Sequence, residues 1–235
     1  MRILCLADGC ESIDLVDRFY SKRDADQHAA IYQALIERYA DRFAKLGDLD
    51  VNDETTFPGL RRYYGESAAA ESFFTEPDRY DFIVSRAVLE HVYDPRRAIV
   101  SMVAALKPGG MLLHKVDFRD HSMFSEHMHE LKFFEVPDVL YPHMTRDTGR
   151  PNRVLINTYR QVLSDVIPDH SLLVTRLAGV GDIDPHLPYD QIDLGRRRQA
   201  VDFVRSVRSK FCHSLRAVSD EDLSAAGIFL VARKR

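Results

Sequence analysis

The stretch from Tyr80 to Phe118 constrains this chain most. Tyr80 to Ser85 (YDFIVS) is a short, largely apolar run with branched residues, the signature of a strand. Asp94 followed by Pro95 supplies a helix N-cap and a proline at the first helical position. Ile99, Met102, Val103 and Leu106 then recur every three or four positions and give that helix one apolar stripe. Lys107-Pro108-Gly109-Gly110 stops the helix, and Met111 to Phe118 reads as a second strand. Strand, helix and strand in that order make a βαβ unit, and such a unit needs a parallel pair inside an α/β sheet.

The flanking sequence extends the same pattern. Ile13 to Asp17 (IDLVD) reads as a buried parallel strand ending in an acid, and ligands of α/β sheets gather at that end. From Asp24 onward, Ile31, Leu35, Tyr39, Phe43 and Leu46 trace a long amphipathic helix. Residues 47–65 read as loop, with a weak strand near Leu60 to Tyr64, and Thr158 to Val166 as a helix. Leu172 to Leu177 reads as a strand, 195–215 as a helix, and Gly227 to Arg233 as a last strand. Residues 119–157 have no period and are rich in His, Met, Phe and Pro, which predicts a lid-like insertion. At 235 residues, 45% of them hydrophobic and 29% charged, the chain is expected to form a single domain over 1–235 carrying that insertion.

Composition narrows the partners. Thirty-two Lys plus Arg against thirty-six Asp plus Glu leave a net charge of -4, so no overall field draws the chain to nucleic acid or an anionic membrane. The basic stretch from Arg196 to Lys210 carries Val201, Val204, Val207 and Phe211 at helical spacing and reads as a solvated helix face. Cys5, Cys10 and Cys212 form no CxxC pair and no even framework, which fits a reducing compartment. No run approaches the roughly 18 apolar residues that span a bilayer. The expected setting is the cytoplasm, with no nucleic acid and no membrane among the partners, and an oligomer is compatible with the sequence.

The segment Tyr80-Asp81-Phe82-Ile83-Val84-Ser85-Arg86-Ala87-Val88-Leu89-Glu90-His91-Val92, then Asp94-Pro95 and Leu106-Lys107-Pro108-Gly109-Gly110, resembles the fourth-strand and post-strand motifs of class I S-adenosylmethionine-dependent methyltransferases. The resemblance implies a Rossmann-like, mostly parallel sheet with an antiparallel last strand, for which Gly227 to Lys234 stands, and S-adenosyl-L-methionine as cofactor. It makes Asp17, with Arg18 beside it, the residue that holds the cofactor ribose, in keeping with the strand-end acids of dinucleotide sites. In the adenine position the family's usual acid is replaced by Ala69, which leaves the backbone of Ala70 and nearby Glu71. Ser85, Arg86 and Ala87 follow the fourth strand where the family meets the methionine part of the cofactor, and His91 on the next turn faces the reaction centre or satisfies a helix end.

The chain departs from the family at its start. The family's first strand runs into a loop such as GxGxG, but Met1 to Asp17 contains only Gly9. If Ile3 to Leu6 were that strand, Ala7 to Ser12 would have to hold a crossover that needs about a dozen residues. Met1 to Ala7 is therefore expected to be the tail of a helix capped by Gly9, with the first strand upstream of the given chain or lost. A sheet without its central strand leaves unpaired edges and exposed apolar surface.

Two histidines are expected near the chemistry, His121 as general base and His114 as the other candidate, with Asp117 or Asp120 orienting the base, all in the run His114-Lys115-Val116-Asp117-Phe118-Arg119-Asp120-His121. Strand alternation separates His114 from Asp117, which favours His121 just beyond the strand. Asp117, Asp120, His121, His127 and His129 are alternative ligands for a divalent metal, but their spacing fits no firm metal signature and no metal is expected. Arg153 is expected to pair with a substrate, with Asp120, or in a structural ion pair. The run 114–121 resembles a methyltransferase subgroup associated with glycan modification, which implies O-methylation of a sugar precursor, a glycan or a small metabolite. The competing expectation is a non-catalytic remnant that keeps the scaffold as a binding module. A nicotinamide oxidoreductase ranks last, because it needs the same glycine fingerprint.

Overall fold

The computed structural model describes residues 2–20, 24–47, 49–121, 123–124 and 128–235, in which the chain forms two compact units, Met1–Phe73 and Phe74–Arg235. In the first unit, α1 (Arg2–Ala7) leads to β1 (Ile13–Asp17), α2 (Ala25–Arg38), α3 (Ala40–Phe43), β2 (Leu60–Tyr64) and the short α4 (Ala70–Phe73). The opening residues are thus the expected helix. Gly9, at φ +99°, lets the chain turn back so that its N–H reaches the Leu6 carbonyl at 3.0 Å and the Cys10 N–H the Cys5 carbonyl at 3.0 Å. Asp24 caps α2 by accepting the Gln27 N–H at 3.0 Å. The helix expected through Leu46 breaks at Tyr39, whose φ of -126° is not helical, and resumes as α3 and a 3₁₀ turn.

β1 and β2 pair in parallel, Ile13 with Leu60 through Asp17 with Tyr64. The core of this unit gathers Ile3, Leu6 and Ala7 of α1, Tyr32 of α2, Phe43 of α3 and Phe57. The helical members lie on the faces that the helical period turns inward, and Phe57 joins them from the loop ahead of β2.

The second unit holds β3 (Tyr80–Arg86), α5 (Pro95–Ala105), β4 (Leu106–Asp117), α6 (Tyr141–Thr145), α7 (Ile156–Val166), β5 (His170–Leu177), β6 (Gly181–Leu187), α8 (Leu194–Val207), α9 (Asp220–Ser224) and β7 (Ala225–Arg233). Its sheet runs in the order β3-β4-β7-β5-β6. β3 and β4 are parallel, as the βαβ reading requires, while β7 lies antiparallel to both β4 and β5. The fold is therefore an α/β, Rossmann-like mixed sheet. Asp94 caps α5 through the Arg97 N–H at 3.0 Å, and Ala98, Ile99 and Met102 are buried beneath it.

Three further features, in the second unit, differ from the sequence reading. Leu106 to Gly110 form the irregular start of β4, not a turn ahead of it, because Gly109, at φ +82°, gives its N–H to the Lys234 carbonyl at 2.8 Å. β6 is an edge strand written GDIDPHL, too polar for an apolar-run criterion. The helix expected over 195–215 is α8 followed by two separate 3₁₀ turns. Among the described residues, β3 has a strand on one side only, and Phe82 and Val84 on it are 59% and 53% exposed.

Candidate active site

The parallel register sets Ser85 beside His114 and Arg86 beside Lys115. The carboxyl ends of β3 and β4 therefore open at one level, where ligands of α/β sheets gather. Past the end of β3, Ala87 sits at φ +54°, unusual for a residue with a Cβ, and its N–H is held by the Lys115 carbonyl at 3.0 Å. A 3₁₀ turn over Leu89–His91 follows and buries Leu89 and Glu90. Asn152 pins this turn: its backbone N–H reaches the Glu90 carbonyl at 2.6 Å, and its side-chain amide donates to the Leu89 and Val92 carbonyls at 2.9 Å each.

Past β4 the chain makes a second such bend. Asp117 gives its N–H to Glu90 Oε1 at 3.2 Å, and its carboxylate is gripped by Arg119, with Nε to Oδ1 at 2.8 Å and Nη2 to Oδ2 at 2.5 Å. His121, at φ +50°, turns its imidazole back over this pair. Nε2 lies 3.7 Å from Asp117 Oδ2 and 3.9 Å from Glu90 Oε1, and the ring packs edge-on against His91 with centroids 4.8 Å apart. Two left-handed residues with side chains, one after each strand, mark this as a place where the fold holds backbone strain.

The electrostatics follow from burial. Glu90 is 1% exposed, and desolvation pushes its carboxyl up to about 7. For Asp117 burial acts upward too, but the Arg119 guanidinium outweighs it and holds the carboxyl below its ordinary value. Burial, helped by neighbouring His121, lowers His91. Asp117, Arg119, Asp120, His121, Met128, His129, Glu130, Arg176, Gly179 and Phe203 line a cleft of about 590 Å³ that His121 overlooks.

Of the expected catalytic groups, His121 and Asp117 meet. His114 does not join them: it is fully enclosed in the sheet, its Nδ1 2.7 Å from Ser85 Oγ, and burial lowers it to about 4. Strand alternation is the reason, as Val116 and Phe118 on its face are buried as well. Ser85 is thereby engaged by a side chain of the core, while Arg86 is exposed. The alternative metal set is not gathered: His129 pairs with Glu135 at 3.0 Å, and His127 lies outside the described residues. Arg153 turns out structural, donating to the Phe133 and Val136 carbonyls and standing 3.6 Å from Asp138.

The remaining expected residues belong to the first unit. Asp17 closes β1 with an exposed carboxylate whose Oδ1 accepts the Phe19 N–H at 2.9 Å, and Arg18 beside it is half-buried. Ala70 and Glu71, both half-buried, open α4. Sequence reasoning missed Glu90, since a lone acid in a motif reads as solvated. The one available signal was its place between Leu89 and His91, both of which the motif turns inward.

Residues 4–151 match the model of a family described as "Methyltransferase domain". No curated protein matches the chain. Among solved structures, a SAM-dependent methyltransferase from Methanosarcina mazei is 14% identical, with 99% of this chain and 86% of that one covered and a TM-score of 0.46. The YcgJ protein from Bacillus subtilis is also 14% identical over 99% and 86%, with a TM-score of 0.44. Haemonchus contortus phosphoethanolamine N-methyltransferase 2, solved with S-adenosyl-L-methionine, is 16% identical over 83% of this chain and 39% of its own, with a TM-score of 0.39. These likenesses are distant, and membership rests on the domain match together with the motifs that frame α5. The chain belongs to the class I S-adenosylmethionine-dependent methyltransferases, enzymes whose cofactor and methyl donor is S-adenosyl-L-methionine.

Proposed function

We propose that this methyltransferase acts on a hydroxyl oxygen of a polar small metabolite or of a sugar or glycan precursor, and that the acceptor oxygen is brought to His121. The observation that carries the reading is the placement of His121: an imidazole held by left-handed backbone against two carboxylates, at the rim of a cleft lined mainly by charged and polar side chains. A hydroxyl acceptor must lose a proton as it is methylated, and this cluster is where the second unit concentrates groups able to assist that loss. Phe203 offers an apolar ring among the charged residues of the cleft, the mixed lining that suits a sugar ring.

The cofactor supplies an already activated sulfonium methyl group. The chain's own task is therefore to bind, align and exclude water. Within the first unit, the exposed carboxylate of Asp17 at the carboxyl end of a parallel strand fits paired ribose hydroxyls, one of its oxygens being used by the turn to Phe19. Ala70 and Glu71 are assigned to adenine, and Ser85, Arg86, Ala87 and His91 to the methionine end, on the strength of the family resemblance. Ala87 and the stapled turn after it give that end a rigid backbone.

The test is turnover with tritium-labelled S-adenosylmethionine across a panel of nucleotide sugars, oligosaccharides, phenols and amines. A hydroxyl acceptor is expected, with His121→Ala lowering kcat by about 100-fold while affinity for S-adenosylhomocysteine holds. Unchanged kcat in that variant, or exclusive transfer to amines, would defeat the proposal.

A further inference from the structure

Two buried polar atoms beside His121 have no hydrogen-bond partner: Glu90 Oε2 and His91 Nδ1. The first belongs to a carboxylate that is 1% exposed. Leaving such an atom unpaired is costly, and a native fold keeps one where something else meets it. Donor atoms of Glu90, His91 and His121 all lie within 4.8 Å of one another. The three are brought together by two separate bends, one after β3 and one after β4, each fixed by a residue at positive φ.

We propose that Glu90, His91 and His121 form a binding site for a divalent transition-metal ion of the zinc class, open toward the cleft. One carboxylate and two imidazoles favour zinc, manganese or iron over magnesium or calcium, which prefer oxygen alone. Ligand atoms about 2.0 Å from zinc stand roughly 3.3 Å apart in a tetrahedron, so rotation of His121, whose side chain is 27% exposed, closes the set. The neighbouring groups stay outside it. Arg119 holds both oxygens of Asp117, and Nε2 of His129, the cleft's second imidazole, pairs with Glu135, which Lys132 holds in turn. Asn152 braces the turn that carries two of the three ligands without touching the ion, as outer groups do in metal sites. Three protein ligands leave a position for an oxygen from the cleft, and an ion there polarises a bound hydroxyl. With the ion bound, His121 serves as its ligand and the ion, not the imidazole, eases loss of the hydroxyl proton; this role rests on the reading that the acceptor oxygen is brought to His121, and the site itself does not.

The full chain, stripped with a chelator and desalted, is titrated calorimetrically with zinc chloride, and cobalt chloride is added to a second sample for its visible spectrum. One equivalent of zinc is expected, with His121→Ala and His91→Ala each weakening binding at least tenfold and His129→Ala leaving it unchanged. The cobalt form is expected to show ligand-field bands that His121→Ala removes. A flat zinc titration, or the same affinity in the His121→Ala and His91→Ala proteins, overturns the site. Because His121 sits at the surface, its variant keeps the fold even where Glu90→Gln fails to. Parallel titration with S-adenosylhomocysteine separates the two ideas: homocysteine-nucleoside binding without zinc binding removes the metal alone, and zinc binding without it removes the methyltransferase chemistry while the metal site stands.

Discussion

His114 turns acid stability into a measurement of the sheet interior. Fully buried against Ser85, it titrates near 4, well below the ordinary 6.5. Its folded value is depressed, so the neutral ring is the native form. Above pH 6.5 both folded and unfolded chains hold it neutral and nothing is lost; as pH falls from 6.5 toward 4, only the unfolded chain takes up the proton and stability drains away. At about 1.4 kcal/mol per pH unit, the full loss is about 3 kcal/mol, of which about 2 kcal/mol has gone by pH 5. His114→Gln keeps a polar group near Ser85 and cannot titrate. Urea unfolding of both proteins from pH 7.5 to 4.5, followed by tyrosine near-ultraviolet dichroism because the chain has no tryptophan, isolates the contribution as the difference between the two curves. That difference should shift in favour of the variant by about 2.5 kcal/mol across the range. Parallel pH profiles would refute the buried, neutral assignment.

Asn152→Ala removes the two side-chain bonds that pin the turn of Glu90 and His91, and it is expected to cost about 1–3 kcal/mol and to weaken zinc binding without contact with the ion; unchanged exchange protection of the Leu89–Val92 amides contradicts this. Gly179→Ala places a Cβ about 2.4 Å from Phe203 Cγ at φ +71°, so a loss above about 1 kcal/mol and a displaced Phe203 ring are expected in unfolding and crystallographic measurements. A variant as stable as the parent, with Phe203 unmoved, counts against the cleft geometry.

The βαβ unit was legible because three local signals agree there: a β-branched run, the Asp94-Pro95 cap and a helical stripe ending in glycine. The opening helix was legible from its length budget, since too few residues lie between Ala7 and Ile13 for a crossover. β6 was not, because an edge strand needs apolar residues on one face at most, and GDIDPHL has Ile183 as its one buried side chain. The site was half legible. Alternation along β4 separated His114 from Asp117 and pointed to His121, but Glu90 reaches the cluster only through burial under the Asn152 staple, which is a long-range contact that no local period encodes.

Calorimetric titration of the intact chain with S-adenosylhomocysteine, run on the parent and on His121→Ala, tests the enzyme assignment most directly. Saturable one-site binding in both proteins, with methyl transfer impaired only in the variant, is the expected result. Absence of any binding heat in the parent, together with no label transferred to any hydroxyl acceptor, would contradict it.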